Sequence, residues 1–196
     1  VKNPLPSLKG VGMATLVSIS NLALSYLGHQ TITSMDQGIE AARKCSLMLQ
    51  PAIDATLRSY NWNCASARAA LALSGVTPAF GWDFQYVIPN DCLRVIRMDE
   101  ISYAFKVEGR FLLTNESPAN ILYIKRILLG EMDTLLTQAV AARLAMDLAF
   151  PLTNSNSLQE AMSKLYAFKI EEAVSIDAQE GTPDDIETTT WLDERL

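Results

Sequence analysis

The chain has 196 residues, 49% of them hydrophobic and 19% charged, a balance close to that of average globular proteins. Wholesale disorder and fibrous classes are therefore not expected, and one domain with a sizeable core is. Sixteen Lys and Arg against 22 Asp and Glu give a formal net charge of −6, which weighs against broad binding to a phosphate backbone, since that affinity comes from clustered cations.

The first segment, VKNPLPSLKGVG, carries lysines but no apolar run behind them, so it does not read as a secretory signal. It is set apart as an N-terminal arm, 1–12, ahead of a main domain over 13–180 and a tail over 181–196. Leu16, Ile19, Leu22, Ala23, Tyr26 and Leu27 recur at helical spacing, with Ser18 or Ser20 as a start signal and Gly28 as the stop. After a polar linker, Ser34 or Asp36 is placed to cap a second helix over about 39–60, whose stripe is Ala42, Cys45, Leu49, Ala52, Ile53, Leu57 and Tyr60. Pro51 predicts a kink or break inside it, because it lacks a backbone N–H and crowds the carbonyl of Leu47. The two helices are expected to pack as an antiparallel pair.

Residues 61–73 are ambiguous: Trp62 and Cys64 suit the start of a strand, whereas the alanine-rich run after them suits a helix. Gly75 and Pro78 mark a loop. Trp82, Phe84, Tyr86 and Ile88 then alternate with Asp83 and Gln85, the period of a strand with one buried face, expected to lie against a helix. Pro89, Asn90 and Asp91 turn the chain into a second strand, Cys92 to Met98. Tyr103, Phe105 and Val107 lead through Gly109-Arg110 to Phe111, a hairpin pattern, and a further strand covers Ile121 to Ile127. These strands predict a small meander inserted over about 80–127.

Gly130 and Glu131 open a long helix with Met132, Leu135, Leu136, Ala139, Ala142, Met146 and Phe150 on its apolar stripe, and Pro151 is its predicted stop. The longest apolar run, Ala139 to Leu152, holds Arg143 and Asp147 and falls short of the ~20 residues of a membrane span, so a soluble protein without a membrane partner is expected. Ser155 to Ser157 offer a cap for a last helix, with Glu160 and Lys164 on its solvated side. Gly181, Thr182 and Pro183 mark a boundary, and the acidic, threonine-rich tail beyond carries Trp191 beside Leu192 and Leu196. Such a tail cannot build a core alone; it is either flexible or ordered by a partner. The fold class is α+β: a helical bundle with an inserted small antiparallel sheet lobe and an extended C-terminal tail.

Few residues point to chemistry. His29 is the lone histidine, in a polar linker, so neither a metal site nor a base for a cysteine nucleophile is expected. Cys45, Cys64 and Cys92 are odd in number and contain no CxxC pair, which opposes both a disulfide framework and structural zinc. No GxGxxG or GxxxxGK[ST] occurs, and no cofactor is expected. Carboxylates are plentiful at Asp99-Glu100, Glu108, Glu131 with Asp133, Glu171-Glu172 and Asp184-Asp185, yet nothing in the pattern sets a pair across an apolar cleft as glycoside hydrolysis needs.

Tyr60-Asn61-Trp62, Trp82 with Tyr86, Ile88-Pro89, Asp91-Cys92-Leu93-Arg94-Val95 and Ala141-Ala142-Arg143-Leu144-Ala145 stand in this order along the chain. Together with the helix, helix, sheet, helix, helix plan, they resemble the head-to-tail adaptors of bacteriophages, the tail tubular protein A of short-tailed phages. The resemblance covers about 13–179. It implies a non-enzymatic virion protein at the head-tail junction, made in the host cytoplasm and assembled as a homo-oligomeric ring, dodecameric in that family. The implied partners are the portal protein above, the tail nozzle below and tail fibres, with DNA passing through without specific binding. The residues before 13 and the tryptophan-bearing tail depart from the family pattern. Trp191, Leu192 and Leu196 are the candidate portal contacts, and Arg94 and Arg97 the candidate lumen or inter-subunit contacts; the neighbouring subunit is favoured over DNA, because a tight DNA grip needs a denser basic face. The alternatives are a connector of a long-tailed phage and a tail-associated peptidoglycan hydrolase.

Overall fold

The computed structural model describes residues 14–180. Four α-helices, α1 (Leu16–Tyr26), α2 (Glu40–Ser59), α3 (Thr134–Thr153) and α4 (Asn156–Asp177), flank seven strands: β1 (Ser66–Ala70), β2 (Ala72–Leu73), β3 (Phe84–Val87), β4 (Cys92–Met98), β5 (Phe105–Glu108), β6 (Phe111–Thr114) and β7 (Asn120–Lys125). The chain is α+β, as its sequence predicts.

Each helix starts and stops for a local reason. Thr15 caps α1 by accepting from the Ser18 N–H at 3.0 Å while Ser18 Oγ accepts from the Thr15 N–H at 2.8 Å, a reciprocal box that corrects the expected caps Ser18 and Ser20. Gly28, at φ 66, lets the chain leave α1 in a left-handed turn. α2 begins after Ile39 without a side-chain cap, because the linker closes on itself: Gln37 Oε1 accepts from the Thr33 N–H at 3.0 Å, and Ser34 Oγ from the Asp36 N–H at 3.2 Å. Pro51 does not break α2. It lies on the exposed side one turn after Leu47, which is 72% exposed, so water can serve the carbonyl that proline leaves without a donor.

α3 starts later than expected, since Leu129–Glu131 forms a 3-10 turn and Asp133 is the cap, accepting from Leu135 and Leu136 at 2.7 and 3.3 Å. Pro151 sits within its last turn rather than ending it; the helix stops at Asn154, which is left-handed at φ 52. Lys44 Nζ, on α2, donates to the Pro151 carbonyl and so serves one of the orphan acceptors at that end. Ser155 caps α4 through the Leu158 N–H at 3.2 Å.

α3 is the centre of the bundle, with Leu136, Ala139 to Ala142, Leu144, Ala145, Leu148 and Ala149 buried. α1, α2 and α4 all pack on it, and α1 and α2 touch each other little, which corrects the expected antiparallel pair. The run of alanines explains this: small side chains on several faces let three helices approach one axis. α3 is also 20 residues long and holds an 18-residue window of mean hydropathy 1.3, long and apolar enough to cross a membrane by length and composition, contrary to the sequence expectation. Half of that window is buried inside this protein.

The strands form two antiparallel sheets, not a meander. In the three-stranded sheet β7 is central, paired with β1 (Ser66 to Ile124, Ala70 to Asn120) and with β4 (Cys92 to Lys125, Met98 to Ile121). The four-stranded sheet runs β2, β3, β6, β5, with Phe84 opposite Thr114 and Thr114 opposite Phe105. The β structure therefore begins at Ser66, well before the expected insertion at 80: Trp62 and Cys64 do not start a strand, since Asn63–Ala65 is a 3-10 turn, and the alanine-rich run that suits a helix is strand instead.

Tyr86, Ile88, Met98, Leu112, Ala119, Ile121 and Tyr123 form a second core between the sheets, with Phe84 against it. The aromatic strand is thus core, but it faces the other sheet rather than a helix. Ile124 and, just past the strand, Ile127 point into the helical core instead, so β7, with Ile121 and Tyr123 in one core and Ile124 in the other, joins the two lobes. Trp82 is half-buried and precedes β3.

Candidate interaction surface

β4 carries two register shifts against β7, between Cys92 and Arg94 and between Val95 and Arg97. Each is a bulge in which two residues oppose one. As a result Leu93 and Ile96 reach the helical core, Cys92, Val95 and Met98 face the second core, and Arg94 and Arg97 come opposite Ile124 and Leu122. Strict alternation would have sent the two arginines to opposite faces, since they are three residues apart.

The two arginines have different surroundings. Arg94 Nη2 donates to Asn61 Oδ1 at 2.7 Å, joining β4 to the segment that follows α2, and Arg58 Nη1 donates to the Leu93 carbonyl beside it. Arg97 Nη1 donates to the carbonyls of Met98 and Asp99 at 3.1 and 3.0 Å. The register continues across the sheet: Arg68 on β1 and Arg97 on β4 both lie opposite Leu122 of β7. A surface hollow of about 500 Å³ opens there, lined by Arg68, Ala70, Arg97, Asp99, Asn120 and Leu122 among others. Sequence reasoning missed Arg68, whose only signal was one charge in an alanine run.

A second surface is on α4. Met162, Ala173 and Asp177 are its buried residues, against nine on α3, while Phe168 is 61% and Ile176 43% exposed. α4 is therefore covered on one side only, and its outer side presents apolar groups beside the Lys169–Glu172 ion pair at 2.8 Å. Its C-terminal end is fixed to the start of the β lobe: the Asp177 carboxylate accepts the Asn63 N–H at 3.0 and 3.3 Å, and Asn63 Nδ2 donates to the Asp177 carbonyl at 2.7 Å.

The remaining candidates are dispersed. His29 is exposed, its Nδ1 3.3 Å from the Gln30 carbonyl. Cys45 is buried and Cys64 and Cys92 half-buried, all three free, and burial pushes each thiol above its ordinary range. Among the described residues no three His, Cys, Asp or Glu side chains gather as a metal-binding group. Asp99, Glu100, Glu108, Glu131, Asp133 and Glu171 are exposed, and Asp99, Asp91 and Asp36 each stand as a single carboxylate in three separate surface hollows. Trp191, Leu192 and Leu196, with Asp184-Asp185, lie outside the described residues. No protein-family model matches the chain, and no curated protein matches it either.

Proposed function

We propose that this chain is a structural virion protein, a head-to-tail adaptor that forms a ring between portal and tail nozzle, sealing and conducting the DNA channel. The observation that carries the proposal is the order of parts: two helices, an inserted β lobe bound between them and two further helices, with the motif residues Tyr60 to Trp62 and Asp91 to Val95 at the junction of the lobes. Arg94 and Asn61, both from those motifs, bond to each other across that junction. This geometry suits a mechanical role, in which a stiff bundle stacks in a ring and a smaller lobe contacts a neighbour.

Two physical features support it. The one-sided burial of α4 leaves Phe168 and Ile176 for a neighbouring copy, and aromatic anchors contribute strongly once an interface buries them. A net charge of −6 per copy gives the ring a field that repels the DNA backbone, so a genome passes without being held. Arg94 then serves an inter-subunit contact, and Trp191, Leu192 and Leu196 the portal contact.

Co-sedimentation with the cognate portal protein tests the proposal. Adaptor that pellets with portal rings at micromolar concentration, and fails to do so when Trp191 and Leu192 are replaced by serine, is the expected result. Adaptor that stays in the supernatant at every ratio would remove the proposal.

A further inference from the structure

We propose that the hollow between Arg68 and Arg97 is the docking site of the chain's own acidic segment Asp184 to Glu187. It requires neither a ring nor a portal, so it stands independently of the adaptor function.

The floor of the site is an open row on the three-stranded sheet. Arg68, Leu122 and Arg97 lie opposite one another across β1, β7 and β4. One row further along, Ile124 is sealed into the helical core, whereas Leu122 belongs to neither core and is half-buried. Adjacent strands are about 4.8 Å apart, so the two arginine backbones stand roughly 10 Å apart on either side of an apolar residue. Arg68 is exposed, and no hydrogen bond or ion pair engages it among the described residues. Asp99, the one carboxylate among the lining residues, accepts from Asn120 Nδ2 at 2.8 Å and from the Glu100 N–H at 3.1 Å and also feels the charge of Arg97, so of the two guanidiniums Arg68 is the one left unmatched.

The occupant follows from charge and reach. Asp184, Asp185, Ile186 and Glu187 place three carboxylates and one aliphatic side chain in four residues, the complement of two guanidiniums about a leucine. The chain leaves α4 at Asp177, and Asp177 is bonded to Asn63. From Asn63 to Arg68 is five residues, a span of at most about 17 Å. The turns after α4 keep Glu180 beside Asp177, its N–H on the Asp177 carbonyl at 3.2 Å, and the four to seven residues from Glu180 to Asp184 and Glu187 reach about 13 to 23 Å when extended. The acidic segment can therefore meet Arg68 of the same chain without moving α4. Held there, it would fix the point from which Trp191 and Leu192 start.

Replacing Arg68 by lysine keeps the charge at an exposed position and supplies an amine for zero-length carbodiimide coupling. Full-length R68K treated with carbodiimide at low salt and digested for mass spectrometry is expected to show a link, within one chain, from position 68 to residue 184, 185 or 187. The yield should fall several-fold in 1 M salt, where charge interactions are screened within about 3 Å, and the link should vanish in R68K carrying D184N, D185N and E187Q. Links between two chains, shown by mixing isotopically light and heavy protein, would overturn the assignment in favour of a second copy. A link to Asp99 alone, or none to the tail, would overturn the site itself.

Discussion

Asp177 and Asn63 close a three-bond clasp, with both carboxylate oxygens on the Asn63 N–H at 3.0 and 3.3 Å and the Asn63 side chain on the Asp177 carbonyl at 2.7 Å. The clasp ties the last turn of α4 to the start of the β lobe, 114 residues away in sequence. Burial raises the Asp177 pKa from its ordinary 3.8, against the lowering effect of the Asn63 N–H, and Glu180 and Asp133 raise it further. The folded protein then binds this proton more tightly than the unfolded chain, so the group's contribution to stability is greatest below about 4 and declines as pH rises through the folded value. Asp177→Asn keeps one carbonyl acceptor and removes the titration. Urea midpoints of D177N are expected to change less than wild type between pH 4 and 7, whereas D177A, which removes the acceptor of the Asn63 N–H, is expected to lose about 1–3 kcal/mol near pH 4 and less near pH 7.

Trp62 is fully buried, donates from Nε1 to the Thr56 carbonyl at 3.0 Å, and meets the Tyr60 ring edge-on with centroids 5.2 Å apart. It plugs the end of α2. Trp62→Ala is expected to cost about 3–5 kcal/mol, and Trp62→Phe less, since most of the volume is kept. Chemical denaturation checks both; equal losses would mean that the hydrogen bond, not the packing, dominates.

Pro51 lies within α2 on its exposed side and is tolerated there. Alanine restores a donor to the Leu47 carbonyl and carries far better helix propensity, partly offset by a freer unfolded chain. Pro51→Ala is expected to raise stability by about 1–2 kcal/mol in thermal or urea unfolding.

Arg126 forms a forked pair with Asp54, Nε to Oδ1 at 2.9 Å and Nη2 to Oδ2 at 2.5 Å, linking the residue after β7 to α2. The arginine side chain is 48% exposed, so solvent screens the pair. Arg126→Ala is expected to cost at most about 1 kcal/mol, less at 1 M salt, and lysine should not restore the loss because it lacks the fork. Salt titration of the unfolding midpoint separates the pair from general packing.

The helices were legible because their apolar residues repeat at three and four, and the hairpin of β5 and β6 because Gly109, at φ 60, allows its turn. What escaped were features decided at long range. Ser66 to Ala70 has a helix-favouring composition, yet pairing with β7 makes it a strand. Nothing local reveals that β7 sits between β1 and β4, or that Trp82 is less buried than Tyr86. The bulges that bring Arg94 and Arg97 opposite Ile124 and Leu122 leave no periodic signal, and the Asn63–Asp177 clasp joins two ordinary polar residues.

The outer side of α4 gives the adaptor account a direct structural handle, since Phe168 is 61% exposed and supports no core. Phe168→Glu is expected to leave the unfolding midpoint within about 0.5 kcal/mol of wild type and to abolish ring formation.

The central claim is best tested by native mass spectrometry of the protein mixed with its cognate portal. The account predicts a discrete complex holding one ring of this chain per portal ring, twelve copies if the family stoichiometry holds, and its loss with F168E. Monomer alone beside intact portal, at micromolar concentration and across salt conditions, would contradict it.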